Sequence, residues 1–260
     1  MNDLPKEVSA LDQEEVLSLI FHPRKNVSVP PPDSRDYFLP VDKDVSVACR
    51  FYTHNLKSAS VLCFHGDGEV ICDYDYIAPL YAQIGINLFV AEYRGYGASQ
   101  GEPLFSSMIS DAPVIFKAFM DALKAGGYTG PTFVMGRSLG SVPALEIARR
   151  HQDQLKGLLI ESGFSSILKL LLHMDFPIGY LNFRDIEFPN VASIRSVAIP
   201  TLIIHGKEDT LIPPSESQIL YENSAAKNKR LIIIPEADHT NIIKVGMEPY
   251  LKAIKKFVHR

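Results

Sequence analysis

The chain has 260 residues, 46% of them hydrophobic, with Lys+Arg 26 against Asp+Glu 30 for a formal net charge of -4. Such a composition suits a globular protein with a sizeable core. The absence of any long Lys or Arg run leaves no electrostatic footprint for nucleic acid. Apolar runs such as Val61–Phe64 and Leu231–Ile234 are strand-sized and too short to cross a membrane.

The opening MNDLPKEVSALDQEE is acidic and lacks the basic-then-apolar order of a secretory leader. Val8, Leu11, Val16, Leu19 and Ile20 fall near helical spacing, which predicts a helical extension over residues 1–25 that ends at Pro23. The following VPPPDSRD cannot be a central strand. Two short alternating runs, Tyr37–Leu39 and Val45–Tyr52, then predict an antiparallel pair at a sheet edge.

From Ser60 onward the pattern changes. Apolar segments SVLCFHG, NLFVAEY, TFVMG, GLLIES, TLIIHG and RLIIIPEA alternate with helical stretches through Ile77–Ile84, Met108–Leu123, Val142–Arg150 and Tyr250–Val258. Strands apolar at nearly every position are buried on both faces, so the rhythm predicts a mostly parallel α/β sheet with helices on both faces and an antiparallel N-terminal edge. Ligands of such sheets bind beyond the strands' carboxyl ends. Cys49, Cys63 and Cys72 lack metal-ligand spacing, and their odd number favours a reducing, cytoplasmic setting.

The residues that follow each strand carry the chemistry. His65-Gly66-Asp67-Gly68-Glu69 follows the third strand and Arg94-Gly95-Tyr96-Gly97 the fourth. Gly136-Arg137-Ser138-Leu139-Gly140, a G-x-S-x-G, closes the fifth, and Glu161 the sixth. Asp209 follows the seventh and His239 the eighth. Ser, Asp and His thus come in the order of an α/β-hydrolase triad.

On the motifs HGDGE, YRGYGASQGEP, GRSLGS, IPTLIIHGKEDTLIP and ADHTN the chain resembles the α/β-hydrolase family, nearest its small serine hydrolases with little or no lid. The match runs from Tyr37 to the end of the chain, so residues 1–260 read as one domain carrying the 1–25 extension and a minimal cap at 164–190.

The resemblance implies that Ser138 is the nucleophile, His239 the base and Asp209 the residue that orients the imidazole. It also implies backbone N–H groups of Leu139 and Asp67 as the oxyanion hole, and no cofactor or metal. Ser138 as a simple helix N-cap is the bland alternative. Glu208, Asp238 and Glu161 compete for the acid, Glu161 otherwise being a buried carboxylate that braces the elbow. His65 and His205 read as turn or supporting residues. A carboxylate at Asp67 departs from the neutral residue expected there and calls for a partner, with Arg137 and Arg94 as candidates. Tyr74 and Tyr76 line a pocket or join the core. The cap residues Phe164–Pro189 wall a hydrophobic pocket or form an ordinary packed helix.

These features imply a serine hydrolase acting on a small-molecule or acyl substrate, a carboxylic ester or thioester. An aminopeptidase or acylpeptidase and a non-catalytic binding protein of the same fold are the alternatives.

Overall fold

The computed structural model describes residues 11–177 and 189–259. They fall into two units, Met1–Thr132 and Phe133–Arg260.

The first unit begins with helix α1, Glu14–Ile20, followed by strands β1, Ser34–Asp42, β2, Val45–Tyr52, and β3, Ala59–Phe64. Helix α2, Tyr74–Gln83, strand β4, Ile86–Ala91, and helix α3, Phe105–Gly126, complete it. The strand order is β1-β2-β4-β3. β1 pairs with β2 and β2 with β4 in antiparallel fashion, whereas β3 and β4 are parallel. Every residue of β3 and β4 is buried, as their unbroken apolar runs require. β1 shifts register between Pro40 and Asp42, in keeping with an edge position, where a proline costs no ladder bond to a second neighbour. The Phe89 ring of β4 meets Tyr37 of β1, Phe51 of β2 and Phe119 of α3, which joins four elements into one core.

α1 is shorter than its predicted span. Val8 lies outside the described residues, and the chain from Phe21 to Pro31 is without regular structure. α2 and α3 begin three residues before their predicted starts, with Pro79 and Pro113 tolerated inside them.

The second unit holds β5, Thr132–Arg137, a single 3-10 turn at Ser138–Gly140, and α4, Ser141–Arg150. After these come β6, Gly157–Glu161, α5, Ile167–His173, and α6, Pro189–Ile194. The remainder is β7, Thr201–Gly206, α7, Pro214–Asn223, β8, Lys229–Ile234, and α8, Ile242–Val258. β5-β6-β7-β8 are consecutive neighbours and all parallel. Their carboxyl ends therefore share one edge.

α8 starts eight residues before its predicted Tyr250, because Gly246 and Pro249 read as breakers in sequence. In the fold Gly246 absorbs a kink, and a Cβ there would lie 2.2 Å from the Ile234 side chain of β8. α7 carried no signal, its PSESQILYEN being largely polar. A proline in its first turn provides the start. In the predicted cap, α5 buries Ile167 and Leu171, and residues 178–188 lie outside the described residues.

At the end of β5, a Cβ on Gly136 would sit 2.2 Å from the Gly140 carbonyl oxygen and 2.7 Å from Ala144 Cβ. No side chain fits where the strand turns so tightly into α4. Gly136→Ala is therefore expected to destabilise the protein by about 1–3 kcal/mol through overpacking. Gly127→Ala meets nothing within 4 Å at φ 71 and should cost only the left-handed backbone term, roughly 1–2 kcal/mol. Urea midpoints of the two variants make the comparison.

Candidate active site

Ser138, Asp209 and His239, each beyond a different strand of the second unit, come together. Ser138 Oγ lies 3.0 Å from His239 Nε2, and His239 Nδ1 lies 2.7 Å from Asp209 Oδ2. All three are buried. Ser138 has φ 51, a left-handed conformation rare for a non-glycine residue. That strain is what a turn from strand to helix imposes on a side chain held at the sheet edge. The bland N-cap role is not formed, since no side-chain cap bond closes α4 and its N-cap is Gly140.

Asp209 is held by more than His239. Its Oδ1 accepts from the N–H groups of Leu211 at 3.1 Å and Ile212 at 2.8 Å. His205 Nε2 lies 3.1 Å from Oδ2 and 2.7 Å from the Ile212 carbonyl. A carbonyl only accepts, so His205 Nε2 carries the proton and Nδ1 accepts from Ser217 Oγ at 2.6 Å. Burial alone would raise the Asp209 carboxyl, but the hydrogen bonds from His205 and His239 outweigh it and hold the group well below the usual carboxylate range. An ionised Asp209 takes the proton on His239 Nδ1, which leaves Nε2 free to accept from the serine hydroxyl.

The loops that carry Asp209 and His239 are sewn together through the main chain. Glu208 N–H donates to the Ala237 carbonyl at 2.8 Å. A Cβ on Gly206 would lie 2.4 Å from that same oxygen, so only glycine permits the approach. Of the rival acids, Asp238 accepts from Thr240 and Asn241 within its own turn. Glu161 binds Arg137 Nε at 3.0 Å and the Tyr250 hydroxyl at 2.6 Å, as the bracing alternative expected. The N–H of Leu139 belongs to the first turn of a helical segment, where N–H groups have no intrahelical acceptor.

Asp67 belongs to the first unit, and its partner is not the one the sequence suggested. The carboxylate accepts from the Tyr96 hydroxyl and from the His22 N–H at 2.7 Å, and it faces His22 Nδ1 at 2.7 Å. Arg94 instead pairs with Asp111 at 2.7 and 2.8 Å, and Arg137 with Glu161. The rest of the HGDGE loop is pinned as densely. Arg24 Nη1 donates to the Gly68 carbonyl at 3.0 Å, Tyr93 to the His65 carbonyl at 2.6 Å, and Gly66 N–H to Glu69 at 2.8 Å. The His65 ring is buried between the Gly66 carbonyl and Glu92, a supporting role like that of His205. Tyr74 is buried beside Glu69, whereas Tyr76 is 85% exposed.

Beside the acid loop, Phe164, Leu170, Ile212 and Pro213 wall a cavity of about 140 Å³, with Lys169, His173 and Glu216 as its polar members. His173 Nε2 donates to the Thr210 carbonyl at 2.7 Å and so ties α5 to that loop. Among the described residues no cluster of metal-ligating side chains occurs, and no helix is long and apolar enough to cross a membrane.

The fold is that of the α/β hydrolases. The esterase Pf2001 of Pyrococcus furiosus superposes with a TM-score of 0.73 at 19% identity, covering 92% of this chain and 98% of its own. A soluble variant of the Saccharomyces cerevisiae monoglyceride lipase does so with a TM-score of 0.67 at 17% identity, covering 91% and 96%. The chain belongs to the Hydrolase_4 family, described as serine aminopeptidase S33, which matches residues 56–174 and 189–243. It is also 27% identical to the α/β-hydrolase domain-containing proteins WAV2 of Arabidopsis thaliana and 17B of Homo sapiens. Those matches cover 78% of this chain and 71% of WAV2, and 82% of this chain and 70% of 17B.

The lowered Asp209 value has a sign that stability measurements can read. The ionised carboxylate contributes its full stabilisation above the unfolded value, about pH 4, and loses it as pH falls through the lowered folded value. The stability gap between wild type and Asp209→Asn should therefore be level above that pH and close as pH drops below it. Urea midpoints across an acid series test this.

Proposed function

We propose that the protein is a serine hydrolase that cleaves a carboxylic ester or thioester through an acyl-enzyme. The observation that carries this reading is the contact of Ser138 Oγ with His239 Nε2 at 3.0 Å, with Asp209 at 2.7 Å behind the ring. Ser138 Oγ attacks the substrate carbonyl carbon while its proton passes to His239 Nε2. The carbonyl electrons move to oxygen, and the negative charge is met by backbone N–H donors, that of Leu139 among them. As the tetrahedral intermediate collapses, His239 returns the proton to the leaving alcohol or thiol. Water then repeats the sequence on the acyl-enzyme, giving the carboxylic acid and free Ser138. Asp209 keeps the imidazole in the required tautomer and stabilises the imidazolium. No step calls for a cofactor. The odd number of cysteines, Cys49, Cys63 and Cys72, favours a reducing, cytoplasmic setting.

The cavity beside the acid loop, about 140 Å³, narrows the substrate. Phe164, Leu170, Ile212 and Pro213 on its walls favour an apolar acyl or leaving group. The family's description as a serine aminopeptidase favours a second reading, amide hydrolysis by the same three residues. Faster release of an amino-acid amide reporter than of its ester would select that reading.

Ser138→Ala is expected to lower turnover of short p-nitrophenyl esters by about 10⁶-fold and to abolish labelling by a fluorophosphonate probe. Labelling of the folded wild type at no residue would leave the non-catalytic alternative. In an acyl-length series, Phe164→Trp should lower turnover of butyrate relative to acetate; an unaltered profile would remove the cavity from substrate selection.

A further inference from the structure

Arg137 occupies the variable position directly before the nucleophile, where the sequence offered it only as an answer to Asp67. Its guanidinium does something else. Nε donates to Glu161 Oε1 at 3.0 Å, and Nη2 donates to the main-chain carbonyl of His239 at 2.6 Å. Glu161, at the end of β6, is held from its other side by the Tyr250 hydroxyl of α8 at 2.6 Å. Glu161 and Tyr250 are fully or almost fully buried, and the Arg137 side chain is only 13% exposed.

We propose that Arg137 is a positioning residue that fixes His239 against Ser138, with Glu161 and Tyr250 as its anchor. The inference rests on the Ser138–His239–Asp209 reading. His239 stands on an irregular loop between β8 and α8, and an unsupported loop would let the ring drift from its 3.0 Å contact with Ser138. A charged donor on the histidine's own carbonyl removes that freedom. Because the same side chain emerges from the residue before Ser138, the nucleophile and its base are referred to one rigid group. The planar fork of arginine presents Nε and Nη2 to the two acceptors in one fixed geometry, whereas lysine carries a compact ammonium on a flexible stem. Glu161 thus stands at a strand end that would also suit an acid, and works there as the arginine's anchor.

Displacement of a reacting group by 1 Å costs about 10²-fold in rate. Arg137→Met is expected to lower kcat on a short ester by about that factor with KM unchanged, and to slow fluorophosphonate labelling in the same proportion. Arg137→Lys should recover part of the loss, and Tyr250→Phe should show a smaller decrease of the same kind. All rates are measured well below each variant's Tm, so that lost folded fraction does not enter. Wild-type kcat in Arg137→Met, or a loss confined to KM, would overturn the proposal. If Arg137→Met does not fold, wild-type kcat in both Arg137→Lys and Tyr250→Phe overturns it instead. Ser138→Ala separates the two levels. Turnover retained there defeats the triad reading itself, whereas an inert Ser138→Ala beside fully active Arg137 variants defeats only the brace.

Discussion

A carboxylate buried as deeply as Asp209 has to find all its hydrogen-bond donors inside the protein, and much of the second unit is arranged to supply them. The Leu211 and Ile212 amides come from the turn that Asp209 itself begins, His205 from the end of β7, and His239 from the loop after β8. Removing any donor would leave part of a buried charge uncompensated. The charge thereby dictates where the acid loop turns, which tautomer His205 adopts, and which nitrogen of His239 faces Ser138. The requirement reaches α7 as well, since the Ser217 hydroxyl completes the His205 ring.

The same edge stores backbone strain. Ser138 at φ 51 and Ser162 at φ 47 both hold left-handed conformations directly after parallel strands. Each such residue costs on the order of 1–3 kcal/mol and persists only where its surroundings over-determine it. At Ser138 the surroundings are identifiable: Gly136 lets the Gly140 carbonyl close in behind the turn, and buried α4 residues fill the space beyond. Glycine at 206 plays the corresponding part for the histidine loop by admitting the Ala237 carbonyl. Strain at Ser138 and close approach at the histidine loop are consequences of short connections between strands that end at one edge.

This arrangement also marks what could be read in sequence. β3 to β7 were legible because strands covered on both faces must be apolar throughout, whereas β8 carries the same apolar run at the sheet edge and leaves Arg230 and Ile233 exposed. Ser138, Asp209 and His239 were legible because each stands within a few residues of an apolar strand. α7 was hidden by its polar composition, and the start of α8 by Gly246 and Pro249, of which Gly246 does interrupt the helix with a kink that packs on Ile234 of β8. The partners of Asp67 and Arg137 were not legible for a different reason. His22 and Asp67 are 45 residues apart, and Arg137 and His239 are 102 apart. Charge complementarity in a sequence offers many such pairs, and only the fold selects among them. His22 gave no warning, lying between a short helix and a proline-rich segment with no motif of its own.

On the proposed mechanism, the choice between ester and amide turns on the step in which His239 acts as an acid. An alkoxide or thiolate leaves with modest help, whereas an amine leaves only once its nitrogen is protonated, so amide cleavage places the heavier demand on the ring's position. Asp209 fixes the tautomer and the tilt of the imidazole, but a ring on an irregular loop can still translate with its backbone. The Arg137 bond to the His239 carbonyl restrains that translation, and it is anchored through Glu161 to α8, the helix the loop leads into. Orientation and translation of one imidazole are thus secured by two separate ionic groups, Asp209 beyond β7 and Arg137 before the elbow. Under that proposal a histidine held in both senses is suited to either leaving group, which moves the choice of substrate from Ser138, Asp209 and His239 to the walls around them.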